Sequence, residues 1–345
     1  MGLTDALVAF ARARRMAREL RYRRVPAFAV SDTGGTPTVY YLCPDYDTPS
    51  GGVRVAYRHV DALNAMSIPA AVVHRRRGFR CTWFANSTRV VASGDITLSP
   101  ADVLVVPEWY GPTLSTVPAG PRVVVFNQRS YGTFDRVPAG QPLYRGAAAI
   151  LAVSEDNADY LRYAFPDIPT HVVRNVVDGT LFRPASESPG RRIAYMPRRR
   201  GEELAEVLHL LAIRGVTRDW ELTPIDGRSE RETADLLRRS AVFLSFSERE
   251  GFGMPPAEAM AAGCYVVGFT GLAGRDFFDP AYCRPIPEGD VLAFARAVEE
   301  ICGTEPEVLA KAGRLASQAI LDRYSEAGLR DDLRAFYGPV LGVET

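Results

Sequence analysis

The chain has 345 residues, 47% hydrophobic and 24% charged, and its 41 basic and 41 acidic side chains cancel to zero formal charge. That length predicts about two domains with ordinary globular cores. The charge balance argues against a general nucleic-acid binder, which needs a basic excess, and no apolar run reaches the roughly 18 residues of a membrane-spanning helix.

Lys311 is the only lysine, so any phosphate clamp must use the planar arginine fork. Cys43, Cys81, Cys264, Cys283 and Cys302 are odd in number and lack CxxC spacing. They read as buried thiols in a reducing compartment, not as a disulfide framework or zinc site. His59, His74, His171 and His209 form no HExxH or HxH pattern. The short apolar stretch Leu7–Phe10 precedes the arginines instead of following them, so no signal peptide is read and a cytoplasmic protein is expected.

In chain order, residues 4–22 predict a basic helix, capped by Thr4 or Asp5 and striped by Leu7, Phe10, Ala11, Met16 and Leu20. The expectation is packing on its own domain with solvated arginines. The alternative is peripheral contact with an anionic inner-membrane face. After a connector over 31–37, strands are predicted at Thr38–Cys43, Ala70–Val73, Val103–Val106, Arg122–Phe126, Ala149–Val153 and His171–Val173, with helices over 53–65 and 155–164. Two prolines, a glycine and small polar residues make 184–190 an interdomain linker. The alternation then restarts. Strands are predicted at Arg192–Tyr195, Trp220–Pro224, Ala241–Phe246 and Tyr265–Phe269, and helices over 202–213, 229–239, 256–262, 288–302 and roughly 306–337. Such alternation is the signature of doubly wound parallel sheets. The expected fold is therefore α/β with two Rossmann-like domains, over 1–183 and 191–315, and C-terminal helices over 316–345 packing back on the first.

The most informative stretch is Ser245-Phe246-Ser247-Glu248-Arg249-Glu250-Gly251-Phe252-Gly253-Met254-Pro255-Pro256-Ala257-Glu258. It reads as strand, tight glycine loop and short helix, at the strand end where open parallel sheets bind ligands. Gly251 and Gly253 admit a ligand close to the backbone, the helix N-terminus favours phosphate, and Glu250 and Glu258 can face one pocket. A carboxylate accepts hydrogen bonds from a vicinal diol such as a ribose. One glutamate alone would read as a surface or helix-dipole residue; two flanking this loop read as a site.

This segment resembles the E-x7-E donor motif of retaining glycosyltransferases of the GT-B fold, especially family 4. Gly263–Gly271, Ala152-Val153-Ser154-Glu155 and Arg174-Asn175-Val176-Val177-Asp178 are similar to the same family. The resemblance covers most of residues 38–338 and is stronger in the second half. It implies a nucleotide-sugar donor on the second domain, an acceptor on the first, and transfer with retention in the cleft between them. It places Glu258 on the ribose and Glu250 on the transferred sugar. Phe252, Gly253 and Met254 then join the donor site. Gly51-Gly52 resembles the family's glycine loop facing the diphosphate. Arg198 matches an arginine that holds the diphosphate. No lysine follows it, so Arg199 or Arg200 stands in, since a guanidinium binds phosphate bidentately.

Asn127-Gln128 stand where the family often has a histidine facing the sugar, and Glu108 ends the preceding strand. These three are the acceptor-side candidates, and Trp109, Tyr110 and Asp276 are further plausible contacts. Asp45-Tyr46-Asp47 is a lone D-x-D and reads as a polar loop. No cofactor and no metal are expected. The expected partners are a nucleotide-sugar and a glycan, lipid-linked or small-molecule acceptor, with no nucleic acid. The rival readings are a nucleotide-sugar epimerase or hydrolase on the same fold, and a non-catalytic binding protein.

Overall fold

The computed structural model describes residues 23–342 apart from 47, 136, 187 and 188. The helix expected over 4–22 lies outside the described residues, as does part of the expected linker. Two compact units emerge. The first comprises Met1–Val153, Ala158–Val173 and Leu329–Thr345, and the second Ser154–Asn157 and Arg174–Gly328.

The first unit carries strands β1 (Ala29–Val30), β2 (Val39–Leu42), β3 (Ala70–His74), β4 (Val90–Ala92), β5 (Thr97–Leu98), β6 (Val103–Pro107), β7 (Arg122–Asn127), β8 (Ala149–Ala152) and β9 (Thr170–Val172). β1 pairs only with β5. The others form a seven-stranded parallel sheet ordered β4-β3-β2-β6-β7-β8-β9. β3, β6 and β8 are apolar runs buried along nearly their whole length, as central parallel strands covered on both faces should be. Helix α1 (Gly51–Ala65) follows β2, and α2 (Glu155–Ala164) follows β8. Tyr41, at the centre of β2, bonds His59 Nδ1 and Tyr337 Oη, each at 3.0 Å, inside the apolar interior. Burial pushes the His59 imidazole down to about 3, so it stays neutral there.

The second unit continues with β10 (Gly190–Tyr195), α3 (Gly201–Ile213), β11 (Glu221–Pro224), α4 (Glu230–Arg238), β12 (Ser240–Glu250), α5 (Met254–Ala261), β13 (Tyr265–Leu272), β14 (Cys283–Ile286), α6 (Val291–Cys302) and α7 (Pro306–Arg323). Its five strands are parallel in the order β11-β10-β12-β13-β14. Ile193, Val242, Leu244, Val267 and Phe269 from the sheet pack with Phe294 and Val298 of α6. Helix α8 (Glu326–Leu341) starts in the second unit and is grouped with the first from Leu329 onward.

Apart from Ser154–Asn157, the second unit begins at Arg174, before the linker expected over 184–190. The segment after Arg174 is committed to that unit: the Val177 N–H bonds Tyr324 O at 2.9 Å, and Pro184 sits against Gly263. The helical stretch expected over roughly 306–337 is two helices, separated at Tyr324-Ser325. β1, β4, β5 and β14, which the sequence did not suggest, are short, and periodicity reveals such strands poorly.

Candidate functional site

In the second sheet the strand order reverses between β10 and β12. In open parallel sheets, ligands bind where the loops leaving the carboxyl ends of such strands diverge. β12 runs four residues beyond its expected end at Phe246, because Glu250 still pairs with Leu272 of β13 across a register shift. Glu250 is therefore the last strand residue, with its side chain 24% exposed. Arg200 and Arg249 adopt left-handed backbone with φ of 46° and 47°. Non-glycine residues held in that region gather at functional sites.

Gly253, at φ 99°, caps α5 in a conformation suited to glycine. Pro255 and Pro256 occupy the first turn and have no N–H, so Gly253 and Met254 supply the donors of this helix end. The helix end expected to take a phosphate is thus poorer in N–H groups than that of a plain helix. Glu258 sits on the second turn and is 8% exposed. Phe252 turns inward, packing its ring 5.2 Å from Phe277 and 4.8 Å from Tyr324, so only its backbone borders the loop.

The three arginines after β10 separate. The Arg200 side chain is 13% exposed, donates to Ser247 O at 3.0 Å, pairs with Glu203 at 3.1 Å and Glu288 at 2.5 Å, and lies over the Phe269 ring. Its guanidinium is committed to holding the two strand ends together, which sets it apart from a phosphate clamp. Arg198 and Arg199 are exposed, and Arg199 Nε lies 3.4 Å from Glu250 Oε1. Glu288, which the sequence did not single out, also accepts from the Thr270 hydroxyl at 3.1 Å and the Gly271 N–H at 2.9 Å.

Ser154 was likewise unsuspected as a single residue. Its hydroxyl donates to Gly251 O at 2.7 Å and accepts the Asn157 N–H at 3.0 Å, fully inside the protein. Asp276 accepts the Glu155 N–H at 2.7 Å. Both bonds tie the start of α2 to the glycine-loop side of the second unit.

The first sheet reverses between β2 and β6. Gly51 and Gly52 open α1 after Ser50. A Cβ on Gly52 would stand 3.0 Å from Gln128 Nε2, which donates to Gly52 O at 3.0 Å. Glycine here permits a close approach between α1 and the end of β7. Glu108 opens a 3-10 segment over Glu108–Thr116, and its Oε2 accepts the Gln128 N–H at 3.4 Å. Burial pushes the Glu108 carboxyl up to about 7, against weaker opposing pulls from its own and the Gln128 N–H and from Arg129. Between these elements lies a cavity of about 200 Å³, bordered by Glu108, Trp109, Gln128, Gly52 and Tyr46.

Asn127 is fully buried, donating to Thr133 Oγ1 at 2.8 Å and Tyr144 Oη at 2.9 Å and accepting the Arg129 N–H. It organises the loop after β7 and does not border the cavity. Asp45 Oδ1 accepts from His74 Nδ1 and the Arg75 N–H, and Oδ2 from the Arg76 N–H, all within 3.1 Å. Its partner in the D-x-D, Asp47, lies outside the described residues. Among the described residues, no three metal-ligating side chains cluster, and no helix is long and apolar enough to cross a membrane.

The family model for Glycosyl transferases group 1 matches residues 152–303, from the end of β8 to just beyond α6. An alpha-1,6-glucosyltransferase of Actinobacillus pleuropneumoniae serotype 7 (strain AP76) is 26% identical over 274 residues, covering 75% of this chain and 81% of its own. Sucrose-phosphate synthase from Thermosynechococcus elongatus superposes with a TM-score of 0.67 at 14% identity, over 89% of this chain and all of that one. Anabaena HepE in complex with UDP and glucose gives 0.62 at 13% identity, over 88% and 99% of the two chains. The fold is GT-B, and the sequence likenesses support glycosyltransferase activity.

Proposed function

We propose that the chain is a retaining glycosyltransferase, moving a sugar from a nucleotide-sugar held by the second unit to an acceptor hydroxyl bound by the first. One observation carries the reading: the β10/β12 switch point collects Glu250, the exposed Arg198 and Arg199, and glycine-capped α5 with Glu258. Glu258 accepts hydrogen bonds from the ribose diol. Arg198 and Arg199 take the diphosphate, and Glu250, released from Arg199, faces the transferred sugar. The acceptor oxygen bonds to the anomeric carbon as the bond to the leaving phosphate breaks, and a phosphate oxygen takes the acceptor proton. Guanidinium groups balance the leaving charge, so turnover needs no metal.

The relative's name specifies an α linkage. Nucleotide-glucose donors are themselves α-linked, so an α product corresponds to retention. The test begins with thermal shift against UDP-, GDP-, ADP- and dTDP-sugars, because a ligand of the native state raises the melting temperature. One nucleotide class should stand out, with UDP-glucose the first candidate. Proton NMR of the product should then show the donor's anomeric configuration, with turnover undiminished by EDTA. No shift from any donor would refute the reading. An inverted product would refute retention, and EDTA inhibition reversed by magnesium would refute metal independence.

A further inference from the structure

The first unit's cavity carries more information than its position. Its floor is apolar, formed by Val53 and Ala56 of α1, Val105 of β6 and Phe126 of β7. Tyr41 also borders it, but the Tyr41 hydroxyl is engaged by His59 and Tyr337. At the mouth stand Tyr46 and Trp109, 43% and 36% exposed. The guanidinium of Arg23 lies 4.3 Å from the centroid of the Trp109 ring and supports it. The polar side chains on the lining are Ser50, Gln128 and Glu108; the Gln128 amide nitrogen is bonded to Gly52 O, and Glu108 is the carboxylate among them.

A sugar ring carries a hydroxyl on nearly every carbon. Burying it against this floor would leave several of them without partners, at about 1–3 kcal/mol each. An apolar ring loses nothing there. An engineered apolar cavity of about 150 Å³ accepts benzene, and this one, at about 200 Å³, has room for a substituted or fused ring.

We infer that this cavity binds the part of the acceptor that is an aromatic, hydroxyl-bearing ring, with its face against Val53 and Phe126 and its hydroxyl hydrogen-bonded to Glu108. This assignment rests on the glycosyltransferase reading for the word acceptor, but not for the binding itself. A carboxylate accepts that hydroxyl more strongly than a neutral acid does. Binding should therefore tighten as pH rises through about 7, where the Glu108 carboxyl ionises. Arg129 and the Tyr144 phenol are the other ionisable groups acting on it, and burial holds the phenol neutral throughout that range.

The test is calorimetry on the full-length protein with 2-naphthol, naphthalene and glucose as probes. Wild type should bind 2-naphthol about tenfold more tightly at pH 8 than at pH 6, and more tightly than naphthalene. Glu108→Gln should remove the pH dependence and the preference for the hydroxyl while leaving naphthalene binding intact. Trp109→Ala, at an exposed rim position, should weaken both aromatic probes. The inference is overturned if glucose displaces 2-naphthol or binds more tightly, or if wild type and both variants bind 2-naphthol alike. A protein that binds 2-naphthol through Glu108 but is shifted by no nucleotide-sugar would refute the transferase reading alone. One that transfers sugar but ignores the aromatic probes would refute this inference alone.

Discussion

Ser154→Ala tests how the glycine loop is held. The Ser154 hydroxyl makes two buried bonds, accepting the Asn157 N–H at 3.0 Å and donating to Gly251 O at 2.7 Å. Losing a side-chain cap costs about 1 kcal/mol. Leaving a buried carbonyl without that donor adds about 1–2 kcal/mol, so the expected loss is about 2–3 kcal/mol. For a unit of this size each kcal/mol shifts the midpoint by about 2–4 °C, so the second transition should fall by about 4–12 °C. Gly251 directly follows Glu250, so a loosened loop should also raise the donor KM several-fold with a smaller change in kcat. Differential scanning calorimetry and steady-state kinetics on Ser154→Ala and Ser154→Thr decide the matter, because threonine keeps the hydroxyl. An alanine variant that melts within 1 °C of wild type and keeps its donor KM would refute the tether.

Glu258→Ala should weaken nucleotide binding by about 10–100-fold, the scale of a charged hydrogen bond, read by calorimetry on folded protein. Arg200→Ala should destabilise the second unit by about 1–3 kcal/mol, because it removes a charged donor from Glu288, Glu203 and Ser247 O. Arg198→Ala should leave chemical denaturation unchanged and act on donor affinity. Glu108→Gln should stabilise the first unit with a definite pH dependence. The folded-state carboxyl titrates near 7 against about 4.3 in the unfolded chain, so the native state binds more protons between those values and wild type loses stability as pH rises through that window. The variant should therefore gain over wild type at pH 8 and match it near pH 4, by denaturant titration.

The parallel architecture was legible because buried parallel strands are written as apolar runs such as Val103–Val106 and Ala149–Ala152, separated by amphipathic helices. The strand, glycine loop and helix start around Glu250 and Glu258 were legible because they lie within one continuous segment. The arginine cluster was legible only as a cluster. Three adjacent guanidinium groups look alike in sequence, and what separates Arg200 is a carboxylate 88 positions away, Glu288. Asn127 looked like a site residue because it stands where the resembled family often has a histidine, but its partners, Thr133 and Tyr144, lie in the loop after β7. The first unit's cavity was invisible as a cavity. Its walls come from the loop after β2, from α1, and from the ends of β6 and β7, and no single stretch carries the pattern.

The two switch points differ in chemistry as much as they agree in topology. The one between β10 and β12 offers exposed guanidinium groups and a glycine-capped helix end, which suit a diphosphate. The one between β2 and β6 offers an apolar floor and a carboxyl that ionises near neutrality, which would repel a diphosphate and accepts a hydroxyl. Each sheet has a strand-order reversal, the place where open parallel sheets bind ligands, and the side chains there differ between the two. Under the proposed function, that contrast within each unit suits an anionic donor on the second unit and an uncharged, hydroxyl-bearing acceptor on the first.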